Sequence, residues 1–157
     1  MLCALPRAVA VKDRDGAIPQ PPLYSAQNIL RKEETHIAIF HCTITLVQRS
    51  KGKSVVAAAA YRSGTKLVNE WDGMTHDYTR KGGVVHAEIM LPAHALPEFQ
   101  DRAILWNSVE QIEKSKDSQL AREVEVALPV ELSREQQLSL VRSYVKDNFV
   151  DKGMCAD

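Results

Sequence analysis

Four consecutive alanines between Ser54 and Gly64 constrain this chain most. The stretch Ser54-Val-Val-Ala-Ala-Ala-Ala-Tyr61-Arg62-Ser63-Gly64 favours a short helix, since alanine loses the least on entering one. Ser54 is placed to cap its N-terminus and Gly64 to close it. Tyr61 stands at the end of this run. The basic segment Arg49-Ser-Lys51-Gly-Lys53 precedes it, and from Gln48 to Lys66 there are five basic residues and no acidic one. A phenol becomes a usable nucleophile when cations hold a phosphodiester against it and stabilise the developing charge. The local chemistry therefore points to attack on a nucleic-acid backbone. A tyrosine on an alanine-rich helix is also commonly a packing residue, so these residues alone leave both roles open.

The flanking segments read as an alternating fold. From Ala38, Phe40, Cys42, Ile44 and Leu46 share one face of a strand, and His41, Thr43 and Thr45 share the other. After the helix, Asp72-Gly73 is a hairpin signal, and Gly82-Gly83 ends that region. Val84–Leu91 reads as a second strand, with His86 and Glu88 on its polar face. A helix is expected from Pro97 to about Lys116, buried along Phe99, Ala103, Trp106 and Val109. Leu120–Leu128 reads as a third strand, with Val124, Val126 and Leu128 inward and Glu123 and Glu125 opposite. Ser133 and Gln136 form a capping-box pattern for a helix reaching Phe149, and Gly153 stops it before Met154–Asp157 begins another strand. The class is α+β: an antiparallel sheet with helices packed on one face.

A length of 157 residues suits a single core. Net charge is zero, which excludes a uniformly basic nucleic-acid binder. The charge is nevertheless uneven: residues 1–80 carry 11 basic and 7 acidic groups, and residues 81–157 carry 9 and 13. A local basic stripe at 48–66 is what a phosphate backbone needs. Three cysteines (Cys3, Cys42 and Cys155) lack metal-type spacing and indicate a reduced, cytoplasmic setting. No apolar run approaches the ~18 residues of a membrane span, and no signal peptide is read. Residues 1–36, with Pro19-Gln-Pro21-Pro22 and Arg31-Lys-Glu-Glu34, read as an extended or disordered arm.

A wider ordered pattern favours the nucleophile role for Tyr61. Ile39-Phe-His41-Cys-Thr-Ile-Thr is followed by Arg-Ser-Lys-Gly-Lys-Ser54 and Ala-Ala-Tyr61-Arg-Ser-Gly64. Then come His86-Ala-Glu-Ile-Met-Leu-Pro92, Leu105-Trp-Asn107, and Ser118-Gln-Leu-Ala-Arg-Glu123 running to Leu128-Pro129. Over about residues 38–157 this resembles the start of the MobA/MobL (MobQ-type) plasmid conjugative relaxases. The resemblance implies an HUH relaxase-like fold for residues 37–157, incomplete at the C-terminus. It implies that Tyr61 nicks one DNA strand at a transfer origin and forms a 5′-phosphotyrosine link for plasmid mobilisation. Arg49, Lys51, Lys53 and Arg62 would then bind the DNA backbone.

In the resembled family a histidine triad holds the metal, with two of its members in a Pro-His-x-His motif on a later strand. The five histidines of this chain form no such pair. Glu123 matches the acidic residue of the family's Arg-Glu motif, which supports a metal-binding histidine from outside the ligand set. Mg²⁺ or Mn²⁺ is thus implied for the intact enzyme, with no metal ligand in this segment. Single-stranded or origin-of-transfer DNA and conjugation accessory proteins are the implied partners. Two alternatives stand beside this reading. One is a non-catalytic, single-stranded-DNA-binding remnant of a truncated relaxase gene. The other is a local metal site built from His41, His86 and Glu88.

Overall fold

Ser54 and Gly64 bound a helix as their chemistry requires. Ser54 has extended backbone and its hydroxyl accepts from the Ala57 N–H at 3.3 Å; helix α1 runs Val55–Ser63, and Gly64 ends it at φ +65°. The computed structural model describes residues 8–12 and 41–157. In chain order the strands are β1 (Ala8–Lys12), β2 (Cys42–Gln48), β3 (Lys66–Val68), β4 (Thr75–Asp77) and β5 (Gln119–Val126), with helices α2 (Arg102–Ile112) and α3 (Arg134–Asn148). The class is α+β, as the alternation of patterns predicts. The proline-rich and charged stretches of the N-terminal arm, and the start of the first predicted strand at Ala38–Phe40, lie outside the described residues.

The main sheet has the order β1-β5-β2. β2 is antiparallel to β5, with Thr45 opposite Glu123 and Thr43 opposite Glu125, while β1 runs parallel to β5. Residues of α1 at helical spacing (Val55, Val56, Ala59 and Ala60) join Val47, Ala121, Leu105, Trp106 and Val109 in one buried cluster. Val124, at the opposite parity of β5, packs with Val145 and Val150, with Val126, Val141 and Phe149 against them. The sheet is thus covered by α1 and α2 at Ala121 and by α3 at Val124. On β2 the buried residue is Val47, whereas Ile44 is 63% exposed. The row Cys42, Ile44 and Leu46 is therefore not the face that seats α1.

Two predicted elements differ. Val84–Leu91 forms no strand; its pairing is a single antiparallel bridge, with Met90 and Ala156 exchanging N–H···O bonds of 2.8 and 3.0 Å. Alternation supplies a face, but a ladder also needs a partner along its length. Met154–Asp157 meets it at that one position. The predicted 97–116 helix is split: Pro97–Gln100 is a 3₁₀ turn, and Asp101 is extended, its carboxylate accepting from the Ala103 and Ile104 N–H groups. Asp101 is an N-cap inside the periodic pattern, and capping restarts the helix there. The buried stripe survives the break, since Phe99, Trp106 and Val109 are all buried. The capping box of α3 forms as expected, with Ser133 and Gln136 bonded reciprocally at 2.9 and 3.3 Å.

Gly64 carries a first prediction. A Cβ there would lie 3.2 Å from Val84 Cγ2, on a backbone at φ +65°. Gly64→Ala is expected to destabilise the chain by about 1–2 kcal/mol, read as a lower urea midpoint with an unchanged slope. An unchanged midpoint would mean that the turn is not held in this conformation.

Candidate active site

Tyr61 lies where α1 leaves the core. Ala60 is fully buried, whereas Tyr61 is 39% exposed. Its ring meets the edge of Tyr78, with centroids 5.2 Å apart and planes at 86°. The Lys81 ammonium sits 3.9 Å from the ring centroid and donates to the Tyr61 carbonyl at 2.7 Å. The Arg62 guanidinium carbon lies 5.2 Å from the same ring. The hairpin makes this possible: β3 pairs with β4, Gly73 turns at φ +71°, and the Tyr78 N–H returns to the Thr65 carbonyl at 3.2 Å. Sequence reasoning placed this hairpin but missed Tyr78 and Lys81. The available signal was the turn itself, because a tight hairpin after a helix returns the chain to that helix's end.

Arg62 forms an ion pair with Glu123 of β5. Burial pulls its guanidinium below the usual arginine range, and neighbouring Tyr61 and Glu125 pull it back up. Its Nε, buried, finds no hydrogen-bond partner among the described residues. Arg62 also lines a cavity of about 300 Å³ with Lys81, Arg134, Arg142, Val126 and Val141. Two residues expected in separate roles, one on DNA and one behind a metal ligand, are thus brought together.

Of the other expected DNA contacts, Lys51 and Lys53 are exposed. They sit at the opposite end of α1, so roughly 10 Å of helix separates them from Tyr61. Arg49 is engaged differently. Its guanidinium bonds the Glu110 carboxylate at 2.9 Å and the Glu110 and Glu113 carbonyls, and it stacks 4.8 Å from the Trp71 centroid. Glu110 is 3% exposed and also accepts from the Val55 N–H at 2.8 Å, capping α1 from α2. Sequence reasoning missed Glu110. A carboxylate next to Val109 on the buried stripe was the available signal, because buried charges are found paired.

The polar faces expected to converge do so only in part. His41 bonds Thr43 at 2.9 Å, and Thr43 faces Glu125 across the sheet. His86 and Glu88 instead meet Arg142 of α3, which clasps Glu88 at 2.6 and 2.9 Å and holds its carboxyl below the usual range. His76 lies half-buried in β4 opposite Leu67. Among the described residues no three His, Cys, Asp or Glu side chains gather as a cation site. The His41, His86 and Glu88 set is therefore not assembled, and the donors present do not fit a bound divalent cation. No helix among the described residues is long and apolar enough to cross a membrane.

Comparison with known proteins gives this geometry a context. The profile of the MobA/MobL family matches residues 53–157. Conjugal transfer protein TraA of Rhizobium radiobacter is 45% identical over 132 residues, covering 77% of this chain and 12% of that protein. Mobilization protein MobL of Acidithiobacillus ferridurans is 43% identical over 121 residues, covering 77% and 31%. Probable mobilization protein MobA of Bifidobacterium longum is 33% identical over 120 residues, covering 76% and 21%. This chain thus spans less than a third of the length of each of these relatives. A solved structure described as the molecular basis of vancomycin resistance transfer in Staphylococcus aureus superposes with a TM-score of 0.71 at 30% identity, covering 75% of this chain and 60% of that one.

Proposed function

This chain belongs to the MobA/MobL family, and from that premise we propose that residues 37–157 are the part of a conjugative DNA relaxase that carries its nucleophile, Tyr61. The observation that carries the reading is the position of the phenol: an exposed ring at the end of an otherwise core-facing helix, with Arg62 and Lys81 beside it. The phenolic oxygen attacks a backbone phosphorus, and the phenolic proton passes to a base. An O–P bond forms and the P–O3′ bond breaks, leaving a 5′-phosphotyrosine and a free 3′-hydroxyl. Because the phosphodiester is exchanged rather than hydrolysed, the strand can be rejoined without another energy source. Arg62, next in sequence to Tyr61 and with its guanidinium carbon 5.2 Å from the Tyr61 ring, is the cation proposed to meet the attacked phosphate.

The divalent cation that family membership suggests would polarise that phosphate. The described residues do not assemble its ligands, so the chemistry proposed for this chain stops at the nucleophile and its cations. The partner proposed for this segment is a single DNA strand, met in the cytoplasm.

The test is salt-dependent binding of a short poly-dT strand, followed by fluorescence anisotropy. Lys51→Ala and Lys53→Ala are each expected to flatten the log–log salt slope by about 0.7, the loss of one phosphate contact. Arg49, held by Glu110, is expected to change the slope less than either lysine. A slope that stays the same in both lysine variants would remove the basic loop from the strand's path.

A further inference from the structure

We infer that Lys81 is a positioning residue that fixes the Tyr61 ring for attack; the inference rests on Tyr61 being the nucleophile. One ammonium touches the tyrosine twice. It donates to the Tyr61 main-chain carbonyl at 2.7 Å and lies 3.9 Å from the centre of the Tyr61 ring. That carbonyl belongs to the last turn of α1, whose acceptors have no partner within the helix. A lysine there also complements the negative end of the helix dipole. Capping alone would need only the carbonyl contact. The second contact, with the face of the ring, links the side-chain torsions of Tyr61 to its own backbone through a single charged group.

The remaining walls of the clamp come from the same turn. Tyr78 sets its ring edge-on to Tyr61, and the Lys81 N–H closes the turn on the Tyr78 carbonyl at 2.9 Å. Tyr78 is itself tied to the helix end through the Thr65 carbonyl. Ring, amine and helix terminus are therefore one unit built by the hairpin. An exposed tyrosine without such a clamp would sample its rotamers freely, and misplacing a nucleophile costs rate steeply.

The experiment uses the whole chain with 3-fluorotyrosine incorporated, followed by ¹⁹F NMR, with the Tyr61 resonance assigned through Tyr61→Phe. The Tyr61 resonance is expected to lie away from the free amino-acid position in the native chain. Lys81→Met should return it towards that position, and Lys81→Arg, which keeps both a donor and a cation, should leave it displaced. Tyr144 of α3, packed edge-on against Phe149, serves as the folded control. A Tyr61 resonance that stays displaced in Lys81→Met, with only a lower melting temperature, would reduce Lys81 to a helix cap and overturn the inference.

A second readout uses a chimera in which this chain replaces the matching segment of the MobL relative. Lys81→Met should slow covalent adduct formation at saturating strand by about tenfold, with strand affinity unchanged and Lys81→Arg restoring the rate. A weakened affinity with an unchanged saturated rate would instead make Lys81 a phosphate contact, against the inference. An adduct that forms equally in Tyr61→Phe would sink the nucleophile assignment itself, and the ¹⁹F result would still decide whether Lys81 holds the ring.

Discussion

Tyr61→Phe is expected to reduce the covalent protein–DNA adduct to background while leaving single-strand binding in place. The substitution removes one oxygen from a ring whose contacts are made by its faces and edge and by the main-chain carbonyl. The clamp therefore survives, and the loss is confined to the atom that would form the bond to phosphorus. The assay is a detergent-stable, labelled-strand adduct in the MobL chimera supplied with Mg²⁺ or Mn²⁺, read beside anisotropy binding by the same variant. Retained binding with no adduct would assign the chemistry to the phenol. An adduct of native yield in Tyr61→Phe would transfer it to another residue, and Tyr78, whose ring touches that of Tyr61, would be the next to replace.

The parts of this site legible in the sequence are those set by local chemistry. Ser54 and Gly64 bound α1 because a hydroxyl cap and a positive φ are single-residue properties. The capping box of α3 and the Asp72-Gly73 turn are local in the same sense. Val84–Leu91 failed as a strand because pairing is non-local, and alternation says nothing about how much partner lies alongside. Asp101 shows the converse: a local cap interrupts a stripe that periodicity joins without a break.

The same division runs through the candidate site residues. Tyr61 stands out as a candidate because it follows an alanine run and precedes Arg62, a pattern confined to adjacent positions. Lys81 does not, since it reaches Tyr61 across 20 positions by way of a hairpin. Arg62 and Glu123 each carry a recognisable role from their motifs, but their ion pair depends on α1 packing over β5, which neither motif encodes. For Arg49 the difficulty is one of context. A run of basic residues reads as a single phosphate-binding loop until one of them proves to have a buried carboxylate partner.

That partner gives the largest stability effect expected here. Glu110→Ala should destabilise the chain by about 3–5 kcal/mol, because it leaves the Val55 N–H and the Arg49 guanidinium without their shared acceptor. The corresponding fall in Tm is roughly 10 °C. Glu110→Gln, which keeps an acceptor oxygen but no charge, should cost about 1–2 kcal/mol. If Arg49 and Glu110 act as one unit, the double variant Arg49→Met with Glu110→Ala should lose less than the two single losses combined. The outcome also bears on DNA. Arg49 stacks on Trp71 and ties the basic loop to α2, so its removal should loosen the frame that presents Lys51 and Lys53. If Glu110→Ala melted within about 0.5 kcal/mol of the native chain, a value typical of a surface change, the pair would not be structural. Arg49 would then rejoin the lysines as a contact to the strand, and its own substitution should flatten the salt slope as theirs do.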